Sequence, residues 1–127
     1  MAYRVLIADD EPAIATSLEF LLNKGGYDTQ IARDGEVALR AAKTFNPDLI
    51  VLDLMLPRLS GLEVCMALRA TPQSERLKIL MLSARGGASE RERARVAGVD
   101  AYQVKPFSTK ELLAQVRDLL AGVPIGK

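Results

Sequence analysis

No histidine occurs among the 127 residues of this chain, and cysteine occurs once. The lack of histidine excludes Ser-His-Asp and Cys-His catalysis, histidine-ligated zinc, and a phosphohistidine carried by the chain itself. A single cysteine excludes an internal disulfide, which is typical of a reducing compartment. Because Cys65 lies in a small-apolar helical stretch, we interpret it as a buried packing residue.

A strong net charge and long apolar segments are also absent. Lys and Arg total 17 and Asp and Glu total 16, so the net charge of +1 does not favour direct binding of nucleic acid or membranes. No segment has the length of a membrane span, and the N-terminus lacks the apolar region of a signal peptide. We therefore expect a cytoplasmic protein. A hydrophobic content of 49% supplies the core of one domain.

Short apolar runs alternate with helical patterns along the chain. The runs predict five strands, at residues 5–8, 27–31, 49–53, 79–83 and 101–104. Helices are predicted at 12–24 (with the preceding acidic residues as caps), from Asp34 to the break at Asn46-Pro47, at 62–69, at 89–97, and from a Ser108–Glu111 capping box to Leu120. This alternation predicts a parallel sheet covered by helices on both faces. We expect residues 1–121 to form the domain and 122–127 a tail or linker stub.

Polar side chains stand where the predicted strands end. They are Asp9 and Asp10, Asp53, Ser83 and Lys105. In open α/β sheets ligands bind beyond the carboxyl ends of the strands, so we expect these side chains to converge. Three close carboxylates repel one another unless a cation joins them, and an all-oxygen ligand set favours Mg²⁺. A carboxylate screened in this way can attack a phosphoryl group and form an acyl phosphate, whose oxygens Ser83 and Lys105 would contact.

Several motifs follow one another in a fixed order on these elements. They are Asp9-Asp10-Glu11-Pro12, Leu52-Asp53-Leu54-Met55-Leu56-Pro57, Ser60-Gly61-Leu62-Glu63, Leu82-Ser83-Ala84, and Tyr102 before Lys105-Pro106-Phe107. From about Tyr3 to Leu120 the chain resembles a response-regulator receiver domain, the phosphate-accepting half of two-component signalling. The resemblance implies an α/β fold: a single doubly wound, flavodoxin-like parallel sheet of strand order 2-1-3-4-5, with five helices on its two faces.

The resemblance also implies a role for each acidic position. Asp53 would be the phosphoacceptor. Asp9, Asp10 and Asp53 would hold Mg²⁺, together with the backbone carbonyl of Met55. The phosphate would come from a histidine kinase or a histidine phosphotransfer protein. No turnover of an external substrate is expected.

The remaining motif positions resemble the parts of the family's switch. Ser83 would hydrogen-bond the phosphoryl group and Lys105 would form an ion pair with it, while Tyr102 would turn inward as Ser83 moves. The Lys105-Pro106 bond is expected to be cis. Residues 86–87 are equally consistent with a simple flexible loop and with a loop that moves in the switch. The result would be a changed face, made by the fourth helix, fifth strand and fifth helix, to which an output protein or domain binds.

The kind of output is predicted less directly. In receivers of DNA-binding transcription factors this face often dimerises through salt bridges, and Arg91 with Glu111 would fit one such pair. Ala101 stands where an acid is usual and Gln115 where an arginine is usual, which disfavours a dimerising transcription factor. A phosphorylation-dependent dimer and a receiver that is part of a larger transcription factor or hybrid kinase both stay open.

Other classes explain fewer of these residues. A Mg²⁺-dependent phosphatase with Asp53 as nucleophile would place a second acid two residues later, where Met55 stands. A flavin-binding domain of the same topology would have a Ser/Thr/Gly-rich phosphate-binding loop after the first strand, which is acidic here. A receiver that serves only as a scaffold would lack some of the acidic, hydroxyl and lysine positions. Asp9 and Asp10 taken alone would be read as helix caps.

Overall fold

A computed structural model describes residues 2–74 and 76–124 of the chain. Its strands are β1 (Arg4–Ala8), β2 (Asp28–Ala32), β3 (Leu49–Asp53), β4 (Lys78–Ser83) and β5 (Ala101–Val104). Its helices are α1 (Pro12–Lys24), α2 (Gly35–Thr44), α3 (Gly61–Arg69), α4 (Ala88–Ala97) and α5 (Thr109–Leu120), with a 3-10 turn at Pro72–Ser74. All strand pairs are parallel, in the order β2-β1-β3-β4-β5. The predicted fold class and strand order are confirmed.

The sheet has an apolar layer on each face, because successive side chains of a strand point to opposite sides. In β3, Ile50 and Leu52 face one layer and Leu49 and Val51 face the other. The first layer packs against α2, α3 and α4 and includes Cys65, which is fully buried as predicted. The second layer packs against α1 and α5. Burial on both faces explains why the sequences of β1, β3 and β4 are nearly continuous apolar runs.

The prediction that acidic side chains cap α1 is wrong for its N-cap residue, and the capping box predicted at α5 is confirmed in half. Glu11 is the N-cap of α1 but its side chain makes no capping bond and instead pairs with Lys105. Asp9 accepts from the Glu11 N–H at 3.0 Å. At α5 the Ser108 hydroxyl accepts from the backbone of the third helical residue at 3.3 Å, which is half of a capping box. The complete reciprocal pair begins α3, between Ser60 and Glu63.

The end of α4 follows its predicted stop signal. Gly98 adopts a left-handed conformation with φ of 106°, which a residue without Cβ tolerates. A Cβ at this position would also lie 2.7 Å from a side-chain carbon of Arg69, so the glycine admits that arginine.

The segment after α5 lies near the beginning of β1. There the hydroxyl of Tyr3, which precedes this strand, donates a hydrogen bond to the Val123 carbonyl. Residues 125–127 of the predicted tail lie outside the described residues, so the boundary at residue 121 stays a prediction. Within the described part of the chain, no helix is both long and apolar enough to cross a bilayer.

Candidate functional site

The ends of two neighbouring strands bring the acidic residues together. Asp53 is the last residue of β3, and Asp9 directly follows β1, whose Ala8 is in register with Leu52. Both carboxylates are buried, with residue exposures of 3% for Asp53 and 1% for Asp9, whereas Asp10 is exposed. Each of the three offers a carboxylate oxygen, and these oxygens lie within 4.8 Å of one another.

A lysine from a third strand end neutralises part of this charge. Lys105 follows β5, and its Nζ lies 3.3 Å from Asp9 Oδ2 and 3.2 Å from Asp53 Oδ2. The same ammonium lies 3.2 Å from Glu11 Oε1. The Lys105-Pro106 peptide is cis, as predicted.

The pKa values of Asp53 and Lys105 are both raised, but for different reasons. Burial raises the pKa of Asp53, and the nearby charge of Asp9 raises it further. Lys105 and a hydrogen bond of 3.2 Å from the Met55 N–H act in the lowering direction but are outweighed. Burial alone would lower the pKa of Lys105, but Asp53, Asp9 and Glu11 together raise it. The carboxylates therefore keep the lysine charged, while Asp53 remains short of compensating positive charge.

The donor set matches a hard divalent cation. Three carboxylates from Asp9, Asp10 and Asp53 converge, and no nitrogen or sulfur ligand is among them. The ammonium of Lys105 carries one positive charge and does not balance three carboxylates. A divalent cation that prefers carboxylate oxygen would balance them. The residues present therefore fit Mg²⁺.

The predicted switch residues meet at the backbone of one residue. Ser83, the last residue of β4, is buried, and its Oγ accepts from the Arg85 N–H at 3.0 Å. The Tyr102 hydroxyl donates to the Arg85 carbonyl at 2.6 Å. Further along this loop Gly86 lies against β5, where an added Cβ would come 2.8 Å from a Val104 methyl. Gly86 is thus packed closely against the sheet, whereas a Cβ on Gly87 would meet the Glu90 side chain of α4.

Beside Ser83 lies an open cavity of about 520 Å³ between the loops that follow β3 and β4. The Met55 side chain is 69% exposed and lies on its rim. The other lining residues are Leu54, Ser60, Leu62, Ser83, Ala84, Arg85, Glu90 and Arg93. Of the predicted site residues it borders Ser83 and Met55.

Ser83 ends the neighbouring strand β4, where its hydroxyl accepts from the Arg85 N–H. The structure brings together Asp9, Asp10, Asp53 and Lys105 and adds Glu11 as a further partner of Lys105. The sequence contained a signal for it, since Glu11 continues the acidic run of Asp9 and Asp10. Its contact with Lys105 spans 94 positions of sequence, and local patterns carry no information about such a contact.

Comparison with known proteins identifies relatives over nearly the whole chain. Residues 5–117 match the response regulator receiver domain family. Response regulator MprA of Mycolicibacterium vanbaalenii is 47% identical over 120 residues, which cover 94% of this chain and 51% of that protein. The chain thus spans about half the length of the curated relatives it matches.

Solved structures agree with this match. A receiver domain of a Francisella response regulator superposes with a TM-score of 0.90 at 34% identity, covering 96% of this chain and 99% of that one. The receiver domain of a Pseudomonas aeruginosa sensor histidine kinase gives a TM-score of 0.88 at 30% identity, covering 96% of this chain and 100% of that one. The latter structure has a magnesium ion coordinated in its active-site cleft.

Proposed function

This chain belongs to the response regulator receiver domain family, and on that premise we propose that Asp53 is its phosphoacceptor. The observation that carries the proposal is the burial of Asp53 beside a second carboxylate and one lysine at the carboxyl edge of the sheet. A structural aspartate at a strand end has no need of such a costly arrangement. An aspartate that accepts phosphate requires a cationic environment for the incoming group.

The transfer proceeds from a phosphohistidine on a partner, a histidine kinase or a histidine phosphotransfer protein. An Asp53 carboxylate oxygen forms a bond to phosphorus while the bond from phosphorus to the imidazole nitrogen breaks. The electron pair of that bond stays on the imidazole nitrogen. The imidazole takes up a proton from water and is left neutral. The product is an acyl phosphate on Asp53. Because the phosphoryl group ends on the chain itself, no external substrate is turned over.

The surrounding side chains serve the charge of the transferred group. Lys105 already contacts Asp53 Oδ2 and would form an ion pair with a phosphoryl oxygen. Ser83 would exchange its bond from Arg85 for one to the phosphoryl group. Glu11 would hold Lys105 near the pocket in the absence of phosphate.

Asp9, Asp10, Asp53 and the backbone carbonyl of Met55 would hold Mg²⁺. When bound, the ion supplies positive charge that offsets the carboxylates and the phosphoryl oxygens. In its absence Asp53 is the residue that bears the repulsion, because burial and Asp9 both disfavour its ionised form.

Phosphorylation would act on partners by shifting a population. Movement of Ser83 and Tyr102 would alter the face made by α4, β5 and α5, where an output protein or domain binds. An almost complete shift requires about 5 kcal/mol of differential stabilisation, which a dianion paired with Lys105 and Mg²⁺ can supply. A dimer that forms through Arg91 and Glu111 is one form of this output. We place the protein in the cytoplasm, without direct contacts to nucleic acid or membrane.

The proposal is tested by intact mass after incubation with acetyl phosphate. Wild type should gain one phosphoryl group only when Mg²⁺ is present, and Asp53→Asn should gain none. Asp100→Asn is the matched control, since it changes an aspartate next to a strand at the opposite edge and should leave phosphorylation intact. Equal phosphorylation of wild type and Asp53→Asn would refute the assignment. If neither is modified, binding of beryllofluoride to wild type distinguishes a receiver that accepts only its protein donor from a scaffold.

A further inference from the structure

The loop that joins β3 to α3, residues 54–60, carries the backbone carbonyl proposed above as a Mg²⁺ ligand, that of Met55. The first residue of this loop is fixed on two sides. The Leu54 N–H donates to a carbonyl of β4 at 2.8 Å, and the Leu54 carbonyl accepts from the Gly61 N–H at 2.8 Å. The Met55 N–H donates to Asp53 Oδ1 at 3.2 Å. The beginning of the loop is therefore tied to two strand ends and to the site.

The second part of the loop lies against the first turn of α2. The N–H of Gly35, with which that helix begins, donates to the Pro57 carbonyl at 3.1 Å. Gly35 is buried, and a Cβ built on it would lie 2.4 Å from the carbonyl oxygen and 2.5 Å from the Cβ of Leu59. A side chain at this position would not fit unless the loop or the helix moved. The close approach of the loop to α2 therefore depends on this glycine.

The backbone of the loop has an uncommon conformation at the same place. Arg58 has a φ of 71°, in the left-handed region that a residue with a Cβ seldom adopts. Its Nε lies 3.9 Å from Asp34 Oδ2, and its Nη1 lies 3.8 Å from Glu36 Oε1. Both pairs are long and Arg58 is largely exposed, so they contribute little by themselves. A conformation of this kind persists only where its surroundings hold it, and the first turn of α2 supplies the contacts.

We infer that Gly35 is a positioning residue for the metal site, which admits residues 57–59 against α2 and thereby fixes the stretch of backbone that carries the Met55 carbonyl. The inference rests on the proposed function, in which this carbonyl is a Mg²⁺ ligand. Because Leu54 is held at one side and Pro57 at the other, the residues between them have little freedom. A ligand that is already in place binds at a lower cost in ordering.

The test is the affinity of the full chain for Mg²⁺, measured by isothermal titration calorimetry well below the melting temperature. Gly35→Ala adds a Cβ that conflicts with Leu59 and should weaken Mg²⁺ binding about tenfold, the effect of losing a group that orients a metal ligand. Gly25→Ala is the matched control, because it makes the same change at the end of α1, where the nearest atom would be 3.4 Å away. Asp10→Asn removes a carboxylate of the cluster and identifies the site.

A second readout separates an effect on the metal from damage to the acceptor. Phosphorylation by acetyl phosphate is followed by intact mass across a series of Mg²⁺ concentrations. In Gly35→Ala the Mg²⁺ concentration at half-maximal rate should rise about tenfold, while the rate at saturating Mg²⁺ should stay near that of wild type, because Asp53 and Lys105 are unchanged. A merely structural role would lower the melting temperature of the metal-free protein and leave both Mg²⁺ measurements as in wild type.

The N-cap of α2 offers a milder change that applies if Gly35→Ala does not fold. Asp34 caps this helix by accepting from the Val37 N–H at 2.8 Å. Asp34→Ala removes the cap and loosens the turn against which the loop lies, whereas Asp34→Asn keeps a side-chain acceptor. Both variants lose the charge that faces Arg58, so that loss does not distinguish them. Mg²⁺ should bind Asp34→Ala about two- to fivefold more weakly than Asp34→Asn, the effect of losing one cap.

Failure of the inference and failure of the proposed function give different results. If Asp10→Asn weakens Mg²⁺ binding but Gly35→Ala binds it like Gly25→Ala, position 35 does not set the metal site. Equal binding by Asp34→Ala and Asp34→Asn has the same meaning if Gly35→Ala is unfolded. Loss of phosphorylation in folded Gly35→Ala at saturating Mg²⁺ also overturns the inference, since the substitution then acts on the acceptor. If wild type binds no Mg²⁺, or Asp10→Asn binds it equally well, the proposed metal site is wrong and the inference is wrong with it.

Discussion

The two edges of the sheet both carry aspartates beside strand ends, but their partners differ. At the amino edge two carboxylates, those of Asp48 and Asp100, are matched by nearby donors. Asp100, just before β5, accepts from the Ile79 N–H and from Arg69, both at 2.8 Å. Asp48, just before β3, accepts from the Arg4 N–H at 2.8 Å. These groups lie near the surface and stabilise the starts of the strands.

At the carboxyl edge the charges are left unbalanced. Asp9, Asp53 and Glu11 share the single ammonium of Lys105, and two of these three carboxylates are buried. Asp10 adds a fourth carboxylate to the same region. Aspartates that stabilise the fold thus have hydrogen-bond donors or an ion-pair partner. Aspartates at the edge where a metal and a phosphoryl group would bind have fewer cationic partners than charges. Charge balance, more than residue type, therefore separates a structural edge from a reactive one.

We expect the amino edge to contribute to stability through Asp100. Asp100→Ala removes an ion pair with Arg69 and leaves the Ile79 N–H without its acceptor. Since hydrogen bonds to charged groups contribute about 1.5–3 kcal/mol, we expect a loss of about 2 kcal/mol in the free energy of unfolding. Urea denaturation measures it, with exposed Asp118→Ala as control. A loss below that of Asp118→Ala would contradict the structural role.

The deficit of cations at the carboxyl edge predicts a response to metal. Mg²⁺ should raise the melting temperature of wild type, since a ligand that binds only the folded state stabilises it. Asp10→Asn removes one carboxylate of the cluster and should weaken Mg²⁺ affinity on the order of tenfold or more. Melting curves across a Mg²⁺ titration measure this, with Asp118→Asn as control. Unchanged affinity in Asp10→Asn would place the metal elsewhere.

The sign of a stability change separates the two edges most directly. Burial and Asp9 raise the pKa of Asp53 in the folded chain, so the folded state binds its proton more readily than the unfolded state does. Ionisation of Asp53 therefore opposes folding as pH rises through this pKa. Without Mg²⁺, Asp53→Asn should be more stable than wild type at neutral pH by roughly 1 kcal/mol, a typical size for one substitution.

This gain should disappear as pH falls through the pKa of Asp53, because the wild-type carboxyl is then protonated and resembles the amide. Saturating Mg²⁺ should reverse the order, since only wild type keeps its full set of carboxylates. Thermal unfolding at several pH values, with and without Mg²⁺, measures both effects. Lower stability of Asp53→Asn at neutral pH without Mg²⁺ would show that Asp53 is balanced like the aspartates of the amino edge.

Much of the candidate site follows from the sequence because of one geometric rule. Apolar runs mark buried parallel strands, and the residues after Ala8, Leu52, Leu82 and Val104 must then gather at one edge. Residues whose role depends on local hydrogen bonds were predicted less well. The acidic residues before α1 read as caps, yet Asp9 turns its carboxylate to the Glu11 N–H and to Lys105.

Periodicity and strand ends are local properties. The five strands, the parallel sheet and the set of carboxylates, hydroxyl and ammonium at its edge could therefore be predicted from the residues alone. How these charged groups are paired depends on the packing of the elements. Glu11 is a third partner of Lys105, and Arg91 lies over the Tyr102 ring where a solvated side chain was predicted. Long side chains reach groups that are distant in sequence. Which of these a given Lys or Arg contacts is fixed only when the elements are packed together.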